Sequence, residues 1–216
     1  DAAPAAPDLL VLAVKPQQMK EAVAPLVSKL GAAVVVSIAA GLDMAALSRW
    51  LGGHRKIVRC MPNTPALIGA GITGLCALPE VSADERAAAD RVLSAVGSTV
   101  WIDDENKMDG VTALSGSGPA YVFLFIEAMQ QAAAELGFTP EQGRQLATET
   151  VQGAAALAAQ SSAPASVLRE RVTSKGGTTE AALNKMAEMG VKAGIIAGVK
   201  AAEARGQELG KLLGAA

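Results

Sequence analysis

Leu9-Leu10-Val11-Leu12-Ala13-Val14-Lys15-Pro16 opens the readable part of this 216-residue chain. An unbroken apolar run of this length, closed by a lysine and a proline, predicts a strand buried on both faces. Pro16 suits the first position of a helix, where its missing N–H is not needed. Gln17–Leu30 then places Met19, Val23, Leu26, Val27 and Leu30 at helical spacing. Strand followed by helix is the unit from which parallel sheets are built.

The same alternation continues outward. Strands are expected over 33–38, 56–60, 71–77 and 99–102. Asp43 is expected to cap a short helix through Trp50. Ser82 and Glu85 have the spacing of a capping box for a helix over 83–96. The first half therefore predicts a Rossmann-type α/β domain with a largely parallel sheet covered on both faces. Beyond the charged run Asp103-Asp104-Glu105-Asn106 no strand signal remains. Helices are expected from Gly118 to about Leu136, with Gly137 as the stop, from Thr139-Pro140 to about Ala159, near 167–171, and twice more to the end. The division expected is 1–104 for the sheet domain and 105–216 for an all-α domain.

Composition removes several function classes. The formal net charge is −2 and aromatics are 3 %, so nucleic acid has no electrostatic footprint here. The single histidine, His54, lies in a glycine turn, which leaves no His dyad and no His-based metal site. Cys60 and Cys76 sit in apolar strands and fit a reducing compartment. The longest apolar runs, 32–42 and 120–126, fall short of the ~20 residues a membrane span needs, so no membrane partner is expected. Gly190, Gly194 and Gly198 recur every fourth residue in an alanine-rich tract. That pattern points to a subunit interface; alanine's ordinary helix propensity is the plainer account.

In a parallel sheet, ligands gather at the carboxyl ends of strands. Three loops are expected there: Ala13-Val14-Lys15-Pro16, Ala39-Ala40-Gly41 and Met61-Pro62-Asn63-Thr64-Pro65. Lys15 can meet a phosphate or a ribose hydroxyl, or lie solvated. Asn63 and Thr64 can position an amide-bearing ring, or serve the turn. Glu105 and Asp109 can bind a ligand or cap a helix. Ser115 and Ser117 precede a helix, where Ser115 reads better as packing than as an anion contact. Thr173-Ser174-Lys175-Gly176-Gly177-Thr178-Thr179-Glu180 puts glycines and hydroxyls before an apolar, helix-periodic segment, a place suited to a small carboxylate. A simple N-cap at Thr178 or Thr179 is the competing account.

Ala13-Val14-Lys15-Pro16, Met61–Pro65, Val111–Tyr121 and Val172–Thr179, in this order and spacing, closely resemble pyrroline-5-carboxylate reductase over 8–209. The resemblance implies reduction of 1-pyrroline-5-carboxylate to L-proline by hydride transfer from NADPH or NADH, in the cytoplasm. It implies a homodimer with interlocked helices, five such dimers often forming a decamer. It implies that Ala13, Val14, Lys15, Pro16, Met61, Pro62 and Asn63 line the cofactor. Glu105, Ser174, Gly176, Gly177, Thr178 and Thr179 would then bind substrate, with the Thr179 hydroxyl near the ring nitrogen as the catalytic contact. Against the family pattern, Lys175 stands where many members carry proline. The chain also begins after the family's glycine-rich dinucleotide fingerprint, so it reads as missing its first strand. The rivals are a non-catalytic helical dimerisation fragment and a related imine or hydroxyacid reductase. The latter would need an acid–base lysine, for which Lys185 and Lys192 are the nearby candidates.

Overall fold

A computed structural model describes residues 7–214. The opening Asp1-Ala-Ala-Pro-Ala-Ala-Pro reads as loose from its sequence, and all of it but Pro7 lies outside the described residues. The chain forms two compact units, one of residues 1–119 with 199–216, the other of residues 120–198.

The first unit is built on a five-stranded sheet in the order β1 (Leu9–Leu12), β2 (Val34–Ser37), β3 (Ile57–Met61), β4 (Gly71–Ala77) and β5 (Gly97–Trp101). β1, β2 and β3 are parallel neighbours, as are β4 and β5. The β3–β4 pair is antiparallel, with Met61 opposite Gly74 and Val58 opposite Ala77. The largely parallel expectation holds except at this pair, for a physical reason. A parallel return needs a crossover of roughly a dozen residues or more, and the link 62–70 is a tight 3-10 turn ending at left-handed Gly69.

Both faces of the sheet are covered. On one, Leu12, Val35, Ile57 and Cys76 pack with α1 (Met19–Val23), α2 (Met44–Trp50) and Met108 of α4 (Met108–Val111). On the other, Val34, Val36, Val58, Cys60 and Leu75 pack with α3 (Ala83–Ser94). This two-sided burial is why β2 reads as consecutive valines. The caps are as expected: Asp43 accepts from the Ala46 N–H at 2.6 Å, and Ser82 with Glu85 forms a full capping box. The single helix expected over 17–30 is instead 3-10, α, then 3-10 again. Pro25 sits inside it and removes an N–H donor the helix interior requires.

The second unit consists of helices: most of α5 (Gly118–Glu135), α6 (Pro140–Gln160), α7 (Ala165–Arg171), α8 (Thr178–Glu188) and the first part of α9 (Val191–Gly214). Gly137 is left-handed and stops α5, and Thr139 with Gln142 boxes the start of α6. From Val199 onward α9 packs within the sheet unit, where Leu213 joins the core beside α2.

Among the described residues, the helical stretch Glu105–Glu135 is long and apolar enough to cross a membrane by length and composition alone. Its apolar residues do not form one unbroken run, because Thr112 and Ser115–Pro119 interrupt them. Only 6 % of its apolar window is buried within the chain.

Candidate active site

The parallel order of β1, β2 and β3 brings their carboxyl ends to one edge of the sheet unit. Ala13, Val14 and Lys15 follow β1 and are exposed. At that edge the Ile38 N–H donates to the Leu12 carbonyl at 3.2 Å, holding the ends of β1 and β2 together. Met61, Pro62 and Asn63 end β3 and are half-buried. Asn63 Oδ1 accepts from the Ile72 N–H at 2.9 Å and thereby closes the loop to β4. The turn role weighed for Asn63 is real. This parallel edge, with Lys15 exposed, is where ligands of such sheets gather.

Glu105 and Asp109 follow β5, and both are held by Arg59 of β3. Arg59 Nη1 lies 3.2 Å from Glu105 Oε1, and Nη2 lies 3.1 Å from Asp109 Oδ1. Arg59 is only 6 % exposed. Glu105 Oε1 also accepts from the Met44 N–H at the start of α2, at 2.7 Å. Glu105 thus ties three elements together before any ligand is considered. It lines a polar cavity of about 390 Å³ with Asp43, Arg59, Asn106, Asp109 and Lys211. Sequence reasoning overlooked Arg59. A charged residue inside an apolar strand, flanked by Val58 and Cys60, was the available signal.

In the helical unit, Ser174–Thr179 leads into α8. Gly176 is left-handed at φ 74°, which permits the tight turn. The N-cap is Gly177, which provides no side-chain cap. Thr178 and Thr179 are therefore the first helical residues rather than caps. Two of the N–H groups expected to bind an anion are already used: Gly176 donates to Glu180 Oε2 at 2.7 Å, and Gly177 donates to the Ser174 carbonyl at 3.0 Å. The N–H groups of Thr178 and Thr179 lack intrahelical acceptors by position, at the positive end of the helix.

Other expectations resolve as structure. The Ser115 hydroxyl donates to the Val111 carbonyl at 2.9 Å, the packing role read for it. Lys185 forms an exposed pair with Glu188 at 2.8 Å. Lys192 lines an otherwise largely apolar groove with Leu183, Met186, Ile195 and Ile196. Burial pushes the Cys60 thiol up to about 12 and raises that of Cys76. The two lie on opposite faces of the sheet, so they cannot pair. No cluster of metal-ligating side chains occurs among the described residues.

Comparison with known proteins bears on both units. The pyrroline-5-carboxylate reductase dimerisation family matches residues 105–209, starting where the long apolar helical stretch starts. The pyrroline-5-carboxylate reductase of Pseudomonas aeruginosa is 47 % identical over 210 residues, covering 96 % of this chain and 76 % of that protein. Its counterpart from Synechocystis is 41 % identical, covering 94 % and 76 %. The solved pyrroline-5-carboxylate reductase of Coxiella burnetii superposes with a TM-score of 0.89 at 41 % identity, covering 94 % of this chain and 76 % of that one. The Plasmodium falciparum pyrroline carboxylate reductase, solved with NADP bound, gives 0.87 at 31 % identity and covers 94 % and 77 %. The chain belongs to the pyrroline-5-carboxylate reductase family.

Proposed function

We propose that this protein reduces 1-pyrroline-5-carboxylate to L-proline with NADPH or NADH, the last step of proline biosynthesis, as a cytoplasmic homo-oligomer. The observation that carries this reading is family membership across both units at 47 % identity. Ala13, Val14, Lys15, Pro16, Met61, Pro62 and Asn63 would hold the cofactor along the edge of β1 and β3. When bound, the nicotinamide supplies the hydride.

The substrate is a small carboxylate carrying a ring imine. Its carboxylate would meet the N–H groups of Thr178 and Thr179 with the Ser174 hydroxyl, while Gly176 and Gly177 keep the backbone close. Lys175 adds a cation beside the same site, which suits an anion. The Thr179 hydroxyl would hydrogen-bond the ring nitrogen and orient the electrophilic carbon. Glu105 would contribute from the Arg59 network. Placement and electrostatics carry most of such a reaction, so the lack of a catalytic histidine is no obstacle.

The domain division we favour is 1–104 and 105–216, supported by the dimerisation family starting at 105. The interlocked dimer, with a decamer of five such dimers, is supported by the uncovered apolar surface of the helices. Phe123, Leu124, Ile195 and Ile196 are exposed, and a side chain at Gly194 or Gly198 would meet nothing within 4 Å.

The test is NADPH oxidation by the full-length protein with 1-pyrroline-5-carboxylate, with L-proline quantified. Equal amounts of oxidised cofactor and proline are expected; cofactor oxidation without proline would reject the reading. Thr179→Ala should lower kcat/KM about tenfold, the loss of one hydrogen bond to a charged group. A change within about twofold would remove Thr179 from the mechanism.

A further inference from the structure

Residues 105–116 lie along the sheet unit as a strap fastened to β3 at both ends. Arg59 holds the first end through Glu105 and Asp109. In the middle, Val111 fills the space a side chain at Gly74 would take: a Cβ there would lie 2.6 Å from Val111 Cγ1. At the far end the chain makes its π-turn, in which the Ser117 N–H donates to the Thr112 carbonyl at 2.8 Å. Such turns often mark functional positions in helices. This one delivers Gly116 onto Met61. A Cβ on Gly116 would lie 2.6 Å from the Met61 methyl carbon. Gly116 is not among the residues with positive φ. Its lack of a side chain serves the close approach of Met61 rather than the backbone.

We infer that Gly116 is a positioning residue for the cofactor: without a Cβ, it lets the Met61 side chain pack onto the strap and so fixes the loop Met61-Pro62-Asn63. The inference rests on the reductase reading, in which that loop lines the cofactor. Met61 ends in a flexible thioether. A side chain at 116 would push that thioether off the strap without disturbing the sheet core, and the loop would lose the contact that holds it.

The experiment is Gly116→Ala in the full-length protein, reading NADPH Kd by calorimetry and Tm without cofactor. Alanine favours a helical backbone over glycine, so Tm should hold or rise. Kd for NADPH should rise about fivefold, a coupling of ordinary size for residues in contact. In a Met61→Val background the methyl that would collide is gone, and Gly116→Ala should then change Kd by less than about twofold. An unchanged Kd for Gly116→Ala would overturn the inference. So would a fall in Tm that parallels the change in Kd, or full additivity with Met61→Val. Failure of the reductase reading shows separately: wild type would bind NADPH yet form no proline, and the Kd comparison would still judge Gly116. A wild type that does not bind NADPH rejects both.

Discussion

The sheet unit and the helical unit solve burial differently. In the sheet unit Met19, Val35, Leu47, Ile57 and Met108 are fully enclosed by the chain's own elements. In the helical unit α5, α7, α8 and α9 contain no buried residue, and α6 buries only Gly143 and Ala147. Phe123 and Leu124 are 64 % and 66 % exposed. A surface of that kind marks an interface rather than an ordinary exterior. One region folds around its own core; the other leaves apolar helix faces uncovered, in keeping with the dimerisation family it matches. The dimerisation family over 105–209 and the exposed helices describe the same fact from two sides.

The largest effect should come from placing a charge in the uncovered face. Ile195→Glu should weaken self-association by about thirtyfold or more, the cost of losing an interface anchor. Proline formation should fall with it. Val92→Glu, at an exposed apolar position of α3 in the sheet unit, should leave the mass unchanged. Size-exclusion chromatography with light scattering reads both. Equal behaviour of the two variants would break the contrast between the units.

Next comes Arg59→Met, which strands Glu105 and Asp109 without their cation. Breaking this partly buried network costs about 1.5–3 kcal/mol, the size of a hydrogen bond to a charged group. Trp50 and Trp101, the only two tryptophans, both lie in the sheet unit. Urea unfolding followed by tryptophan fluorescence therefore reports on that unit. Adding Glu105→Gln and Asp109→Asn should recover much of the loss. A single variant as stable as wild type would show that the network contributes little.

Glu85 offers a smaller effect with a defined sign. The hydrogen bond from Lys56 at 2.6 Å and that from the Ser82 N–H hold its carboxyl down at about 2. Its contribution is complete above the ordinary carboxylate value near ~4.3. It is lost as pH falls through about 2. Glu85→Gln keeps the capping box but loses the ion pair with Lys56, and should cost about 0.5–1 kcal/mol at neutral pH. The gap to wild type should close between those two values. A gap that persists at the acid end would contradict the assignment.

The smallest expected signal is silence from the thiols. Cys60 and Cys76 are both buried, with burial raising both above the ordinary thiol range. A neutral-pH thiol reagent should label neither in the folded protein and both after unfolding. Rapid labelling of the folded protein would show that the sheet unit opens.

What the sequence made legible was local. Asp43, Ser82 with Glu85, and Gly137 each announce an end of a helix through a short-range rule, and each does so in the structure. The apolar run that became β2 was readable because burial on both faces leaves no polar alternation; β1, equally apolar and expected to be buried on both faces, lies at the end of the strand order and leaves Val11 39 % exposed. What stayed hidden depends on distance along the chain. Arg59 meets Glu105 and Asp109 from 46 and 50 residues away, and no spacing rule links them. The reversal at β4 follows from the shortness of 62–70, a signal present but outweighed by the parallel pattern before it. The last part of α9 joins the sheet unit through Leu213 and the close approach of Gly210 to Gly41, which helical periodicity alone does not encode. At the substrate loop the motif was legible as a whole. The engagement of Gly176 by Glu180 emerged only with the fold, and it shifts anion binding toward Thr178 and Thr179.

The most direct test of the contrast between the units is the mass of the full-length protein by sedimentation equilibrium at the concentrations used for turnover. The account predicts at least two copies per particle, with Ile195→Glu shifting the protein toward one. A monomeric wild type that forms proline at full rate would contradict it.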